Sequence, residues 1–229
     1  VLALSNLRFT DPAHSGAVTA TINWGDGSPV ETVPLSGITL PVTALDTGMI
    51  EGRHQFGLPG KYTVTVTVTN GLSMTGRESF VATVADVAPT ITFPSPIIQT
   101  PRVATNFVAN FSDPAFPVGI RKETYTATID WGDGSARSLG RVTVTPGAAG
   151  TPTVGTITGR HTYASHGNYP ITVTLSDGQL TSRATVVAQD VAPVLTAGTN
   201  VKVNEGLKAA VSATFRDPGF GIRFASAYT

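Results

Sequence analysis

The chain has 229 residues, of which 41% are hydrophobic and only 13% are charged, and its formal net charge is zero. The hydrophobic content excludes a disordered chain, and the even balance of charge excludes the basic surface that binds nucleic acids or anionic membranes. The absence of cysteine excludes disulfide bridges, thiol catalysis and cysteine-ligated zinc, and no apolar run approaches the roughly 18 residues of a membrane span.

The sequence repeats itself over a long distance. Ala20-Thr-Ile-Asn-Trp-Gly-Asp-Gly-Ser28 recurs as Ala127-Thr-Ile-Asp-Trp-Gly-Asp-Gly-Ser135, and Gly52-Arg-His54 recurs as Gly159-Arg-His161, both at a spacing of 107 residues. A period of this length, with the motifs in the same order, indicates tandem units of roughly 100 residues.

The tetrapeptide Asp-Val-Ala-Pro, at residues 86–89 and 190–193, marks the boundaries between these units. We therefore predict a first repeat at 1–86 that lacks its leading strand, a complete second repeat at 87–190, and the truncated start of a third at 191–229. The short, proline-containing linkers favour a rod with limited bending.

In chain order, each repeat is predicted to be a series of short strands. Leu7-Arg-Phe9 runs into a Thr-Asp-Pro stop, Ala20–Trp24 stops at Gly-Asp-Gly, and Tyr62–Thr69 alternates strictly before the hairpin dipeptide Asn-Gly. Arg77–Val84 is the returning partner. The second repeat has the same pattern, with an additional leading strand near Thr90 to Ile98: Val108–Phe111, Ala127–Trp131, Tyr169–Ser176 and Thr181–Ala188.

The fold class that follows is all-β. No window shows helical periodicity, and about seven strands per unit is typical of tandem immunoglobulin-like β-sandwiches. Tyr62 and Tyr169 follow Gly60-Lys61 and Gly167-Asn168 at the start of the long strand, a position that suits a tyrosine corner.

The residue types of a hydrolase triad occur twice. They are Asp26, His54 and Ser28 in the first repeat and Asp133, His161 and Ser135 in the second. No nucleophile motif accompanies them, and a duplicated set is more typical of a scaffold element. We therefore interpret each histidine as a structural residue that holds the Gly-Asp-Gly turn, and we predict no catalytic residue and no enzyme activity.

Three spaced motifs resemble the PKD (polycystic-kidney-disease-type) domain, whose pattern runs Trp-Asp-Phe-Gly-Asp-Gly, His-x-Tyr and Gly-x-Tyr-x-Val-x-Leu-x-Val. The first motif is Ile22-Asn-Trp-Gly-Asp-Gly27 and Ile129-Asp-Trp-Gly-Asp-Gly134, and isoleucine replaces its first aromatic residue. The other two are His54-Gln-Phe56 with Gly60–Gly71 in the first repeat, and His161-Thr-Tyr163 with Gly167–Gly178 in the second.

The resemblance implies that calcium is the one metal to consider, since some PKD domains hold it through carboxylates at loop ends. Calcium needs about six to eight oxygen ligands. The candidates are Asp113, Asp130 and Asp133 in the second repeat and Asp11, Asn23 and Asp26 in the first, and the alternative is that these residues cap turns. We expect no other cofactor, and we expect the second repeat to bind calcium first because Asp130 replaces Asn23.

The resemblance also implies an extracellular or cell-surface protein of bacterial type. The leading hypothesis is a non-enzymatic structural spacer or adhesion module with a protein or polysaccharide partner at the cell surface. The alternative is a carbohydrate- or matrix-binding accessory module of a secreted hydrolase, which exposed aromatic side chains would indicate.

The last residues, 194–229, are too few to form a sandwich. We expect them to be disordered or to be ordered only by packing on another surface. The open edge of the first repeat in a neighbouring molecule is one such surface, so strand exchange through the truncated ends is a further possible partnership.

Overall fold

A computed structural model describes residues 1–12, 17–39, 46–94, 96–198 and 200–216. All regular structure in these segments is β-strand, with no helix, so the all-β prediction is confirmed. None of these segments contains a helix that could span a membrane. The described segments contain seventeen strands, and every strand pair among them is antiparallel except one.

The described residues of the first repeat form seven strands in two sheets. Strict alternation of β-branched and polar residues explains the longest of them, which presents Val64 and Val66 to the core and threonines to the other face. The sheet orders are β1-β5-β4 and β3-β2-β6-β7. The strands are β1 (Leu2–Asp11), β2 (Val18–Asn23), β3 (Glu31–Val33), β4 (Leu35–Thr39), β5 (Asp46–His54), β6 (Gly60–Asn70) and β7 (Thr75–Val84).

In the part of the second repeat that the structure describes, eight strands form one continuous hydrogen-bonded order, β8-β10-β13-β12-β11-β14-β15-β9. The order is continuous because β12 changes partner, pairing with β11 at Ser138–Gly140 and with β13 at Arg141–Thr145. The strands are β8 (Thr90–Thr92), β9 (Ile97–Gln99), β10 (Ala104–Asp113), β11 (Thr126–Asp130), β12 (Ser138–Thr145), β13 (Thr153–Thr162), β14 (Tyr169–Ser176) and β15 (Thr181–Asp190).

The predicted leading strand of the second repeat is two short strands instead of one. β8 pairs with β10, whereas β9 pairs in parallel with β15, so the chain passes from one layer to the other between them. Pro94 and Pro96 lie at the crossing, where a proline cannot donate a ladder hydrogen bond.

Each repeat has its own apolar core around a fully buried tryptophan, Trp24 in the first and Trp131 in the second. The predicted tyrosine corners are confirmed. The Tyr62 hydroxyl donates to the carbonyl of Leu58 at 2.8 Å, and the Tyr169 hydroxyl donates to that of Ser165 at 2.9 Å.

The two repeats touch through their loops. The Phe116 amide donates to the Gly57 carbonyl at 2.8 Å, and the Gly150 amide donates to Gln55 Oε1 at 2.9 Å. A Cβ on Gly57 would lie only 2.5 Å from the Phe116 carbonyl oxygen, so this approach requires glycine.

After the second linker, β16 (Val194–Ala197) and β17 (Ala213–Arg216) form an isolated two-stranded ladder whose residues are all exposed. Residues 217–229, the last part of the predicted third unit, lie outside the described residues.

The Gly-Asp-Gly turn of the second repeat yields a test of backbone constraint. Gly132 and Gly134 both have a positive φ, +77° and +82°, but a Cβ on Gly132 would lie 2.6 Å from the Pro170 carbonyl oxygen, whereas one on Gly134 would meet nothing within 4 Å. We expect Gly134→Ala to lower the free energy of unfolding by about 1 kcal/mol and Gly132→Ala by at least about 1 kcal/mol more. Urea denaturation measures both, and equal losses would contradict the assigned steric contact.

Candidate functional site

Four carboxylates converge where the first linker enters the second repeat. Asp86 follows β7, Asp113 ends β10, Glu123 lies in the β10–β11 connection, and Asp177 follows β14. Ligand oxygens of Asp113, Glu123 and Asp177 all lie within 4.8 Å of one another. Asp86 is close enough to raise the pKa of Glu123 by charge repulsion. We call these four residues the junction cluster.

In every member of the junction cluster, one carboxylate oxygen accepts a hydrogen bond and the other is buried without a partner. The unpartnered atoms are Asp86 Oδ2, Asp113 Oδ2, Glu123 Oε1 and Asp177 Oδ2. The donors to the other oxygens are the amides of Val87, Ala115, Gln179 and Leu180 and the hydroxyl of Tyr125, at 2.7–2.9 Å. Asp113 is only 1% exposed and Asp177 only 3%.

The junction cluster is electrostatically costly without a cation. Burial raises the pKa of Glu123 to about 7, with further contributions from the charges of Asp113, Asp177 and Asp86, although the Tyr125 hydroxyl bond opposes them. Burial also raises the pKa of Asp113 and of Asp86. Within the described ranges, no lysine or arginine forms an ion pair with any of the four.

These residues fit a hard divalent cation. Unpartnered buried oxygens carry the full cost of desolvation, which coordination would remove. An all-oxygen set of carboxylates suits calcium, whereas zinc prefers nitrogen and sulfur and magnesium demands a near-ideal octahedron. Asp113, Glu123 and Asp177 would be the protein ligands, and Asp86 would add its negative charge from the linker.

The first repeat satisfies the corresponding position differently. Asn70 stands where the second repeat has Asp177, and its Nδ2 donates to Asp11 Oδ1 at 3.2 Å. An amide donor meets this carboxylate without any metal.

Of the sequence-predicted calcium ligands, only Asp113 belongs to the junction cluster. Asp130 forms an ion pair with Arg137 at 3.0 Å, and Asp133 pairs with His161 at 2.8 Å. In the first repeat, Asn23 Oδ1 accepts from the Gly25 amide and Asp26 pairs with His54.

The histidine–aspartate pairs have the same geometry in both repeats. His54 Nε2 lies 2.8 Å from Asp26 Oδ2, and its ring stacks on Trp24 with 4.8 Å between centroids. His161 repeats this arrangement with Asp133 and Trp131 at the same two distances. Each pair fixes the turn that follows the tryptophan.

The order of contacts differs from that of a hydrolase triad. Ser28 Oγ donates to Asp26 Oδ1 at 2.6 Å, and Ser135 Oγ donates to Asp133 Oδ1 at 2.6 Å. The aspartate therefore stands between serine and histidine, whereas nucleophilic catalysis needs the histidine in the middle, bonded to the serine. Among the described residues, neither of these serines is hydrogen-bonded to its histidine.

Comparison with known proteins does not name a family. No family model matches the sequence, and neither does any curated protein. Among solved structures, an endo-fucoidan hydrolase of glycoside hydrolase family 107 is similar at 17% identity and a TM-score of 0.27. The match covers 75% of this chain and 23% of that protein, so the chain spans less than a quarter of its length.

Sequence reasoning missed Asp86, Glu123 and Asp177. The dipeptide Asp177-Gly178 predicts a hairpin turn, and the tetrapeptide at 86–89 predicts a boundary between repeats, so neither pattern indicates a ligand. The sequence does contain a signal for Asp86 and Asp177, because each follows the end of a predicted strand. An antiparallel sandwich can bring such strand ends to the same side. Glu123, in an irregular connection, gave no such signal.

The histidine–aspartate pair predicts acid sensitivity. Burial raises the pKa of Asp133, but the bonds from Ser135 and His161 outweigh it and hold this pKa at about 2, below the ordinary 3.8. A depressed pKa gives stability that is present above about pH 4 and is lost as the pH falls towards 2. We expect the free energy of unfolding to depend more steeply on pH in the wild type than in Asp133→Asn, by up to about one proton between pH 4 and 2. Equal slopes in acid denaturation curves would contradict this assignment.

Proposed function

We propose that this chain consists of tandem PKD-type, immunoglobulin-like sandwiches that act as a non-enzymatic spacer in an extracellular or cell-surface protein, with a calcium ion fixing the junction between repeats. The observation that carries the proposal is the junction cluster, which combines one carboxylate of the linker with three of the second repeat. A site of this composition would connect neighbouring units.

The equivalent cores support the tandem part of the proposal. Both repeats pack a tryptophan, a histidine and two further rings against one another in the same order, with the middle contact edge-to-face: Trp24–His54–Phe56–Tyr62 and Trp131–His161–Tyr163–Tyr169. Such a duplicated structural element suits a modular array, in which each unit supplies its own core and only short loops meet.

Calcium at the junction cluster would act on the orientation of the repeats. Asp86 belongs to the linker, and Glu123 follows the loop whose Phe116 amide bonds to Gly57 of the first repeat. The Arg121 guanidinium in the same loop lies over the Tyr62 ring, 5.6 Å from its centroid. A cation that is held by Glu123 and attracted by the charge of Asp86 would therefore connect the docking loop with the linker.

The alternative, a carbohydrate-binding module, finds little support in the aromatic residues. Carbohydrate platforms need exposed rings, but every tryptophan and tyrosine in the described segments is buried or half-buried. Phe80 and Phe215 are the exposed aromatic side chains there, and they lie on separate strands, β7 and β17. The spacer is the better-supported function.

Calcium titration of the intact chain tests the metal site. We expect calorimetry to detect one tight site, and Asp113→Asn and Asp177→Asn each to weaken it at least about tenfold, because each removes a charged ligand oxygen. Free calcium at 100 times its dissociation constant should stabilise the second repeat by about 2.7 kcal/mol. Small-angle scattering should show a narrower distribution of distances within the molecule when calcium is added, because the two repeats would then sample fewer relative orientations.

The matched control is Asp130→Asn, which removes a carboxylate paired with Arg137 and should leave calcium binding unchanged. Asp11→Asn is the control in the first repeat. Loss of binding in either control, with binding retained in Asp113→Asn, would overturn the ligand assignment.

A hydrolase screen tests the non-enzymatic part. Because the aspartate separates serine from histidine in both pairs, we expect no peptidase, esterase or glycosidase turnover above a heat-inactivated control. Turnover that disappears in His54→Ala or His161→Ala, while these variants remain folded by circular dichroism, would refute the non-enzymatic proposal.

A further inference from the structure

One outer face of the second repeat is basic and has no acidic side chain. The strands β8, β10, β13 and β12 lie side by side in this order, and the structure describes all of their residues. Asp113 is the only acidic residue in these four strands, and it is buried on the core side. The outward positions carry hydroxyl, amide and small apolar side chains, together with Arg141 and Arg160. We call this surface, with Arg102 at its end, the arginine face.

The strand register brings two of the arginines together. Arg141 of β12 stands directly opposite Thr158 of β13, and Arg160 follows Thr158 by two residues, so all three side chains lie on the same face. Diagonal neighbours of this kind are about 7–8 Å apart. Both arginines are exposed, and within the described ranges neither forms an ion pair.

Arg102 extends the line beyond the end of β13. Its amide donates to the Tyr163 carbonyl at 2.7 Å, next to the pair Ala104–Thr162 that ends the ladder. Its φ is +61°, a left-handed conformation that favours glycine or asparagine, so the backbone does not account for an arginine here. The residue is exposed and has no ion pair among the described residues.

The first repeat does not have this surface, although its fold is equivalent. Arg53 is retained, but Glu51 lies two residues before it on the same face, where the second repeat has Thr158. Pro34 stands in the place of Arg141, because the residue after each pairs with the equivalent isoleucine of the neighbouring strand. The fold therefore does not require an acid-free line of arginines, and another cause must be sought for it.

We propose that the arginine face binds a linear anionic polysaccharide, whose sulfate or carboxylate groups pair with Arg102, Arg141 and Arg160. A guanidinium group binds such oxygens with two parallel hydrogen bonds. The threonine and asparagine side chains around the arginines can exchange hydrogen bonds with sugar hydroxyls. This function is additional to the spacer role, needs no exposed aromatic ring and does not depend on the calcium site.

The number of charges favours a polysaccharide over a nucleic acid. Proteins that bind duplex DNA commonly neutralise about six to ten phosphates, whereas this face offers three arginines. Exposed ion pairs are individually weak and are screened by salt. We therefore expect a dissociation constant on the order of 1 mM for one polymer segment at low ionic strength.

A nuclear magnetic resonance titration of the full chain tests the binding. The probes are dextran sulfate and, separately, polygalacturonate, with a chelator present so that calcium cannot bridge polymer and protein. With at least one polymer, we expect amide shifts concentrated in β10, β12 and β13, and affinity at least about fivefold lower in about 0.15 M salt. Neutral dextran should cause no shifts. Binding of neither anionic polymer, or equally tight binding of duplex DNA, would overturn the proposal.

A single substitution can give the second repeat the charge pattern of the first. Thr158→Glu places a carboxylate directly across from Arg141, and we expect it to weaken polymer binding about threefold or more. The matched control is Thr174→Glu, which places a carboxylate directly across from Arg183 on a different strand pair, β14 and β15, and should leave binding unchanged. Equal losses in the two variants would show that only net charge matters and would refute the assigned face.

A pair of double variants keeps the test independent of Thr158. Arg141→Gln combined with Arg160→Gln should weaken polymer binding at least about fivefold. Arg77→Gln combined with Arg183→Gln removes the same charge from exposed positions of β7 and β15, outside the arginine face, and should have little effect. Unchanged amide spectra away from the substitutions verify that each variant is folded. Retained affinity in the first double variant would contradict the proposal.

Discussion

One histidine-bonded carboxylate joins the layers of each repeat. In the first repeat, Asp26 follows β2 of the four-stranded sheet, and its two oxygens bind Ser28 on one side and His54, the last residue of β5 in the other sheet, on the other. The imidazole lies flat on Trp24, so the polar contact is shielded from water by the core itself. In a cysteine-free sandwich, this ring stack and its hydrogen bonds connect sheets that a disulfide would otherwise connect. The placement of the turns, the tyrosine corner and the loops at this end all depends on it.

The strands with strict alternation could be predicted from sequence, whereas their partners could not. The segment around Tyr62 specifies a strand by local chemistry, and the glycine before Tyr62 specifies where its corner begins. The change of partner within β12 leaves no such mark, because alternation continues unbroken through Gly140 and Arg141 while the neighbouring strand changes. Layer crossing depends on which surfaces meet in three dimensions. The prolines beside β8 and β9 mark a break in the ladder, but they do not tell which sheet receives the second half.

The candidate site, too, could be predicted from sequence only in part. Asp113 could be predicted as a candidate ligand because Ser112-Asp113-Pro114 ends a strand. What distinguishes Asp113 from Asp130 is its burial, which the sequence does not show. A single sequence shows two aspartates near turns, whereas the fold places one in a shielded acidic cluster and the other beside Arg137 at the surface. The junction cluster gathers residues 91 positions apart in sequence, from Asp86 to Asp177, so only the sandwich topology brings them together. Its four buried carboxylate oxygens without hydrogen-bond partners result from packing, which composition does not reveal.

The parallel pairing of β9 with β15 has a mechanical consequence. These strands lie near the two ends of the second repeat, and Ile97, Ile98 and Gln99 pair in register with Ala188, Gln189 and Asp190. Tension applied along the chain pulls two such strands in opposite directions along their common axis. Their hydrogen bonds are then loaded together in shear, so that they cannot open one after another as in a peeled hairpin. The second repeat is thereby built with a force clamp at its termini.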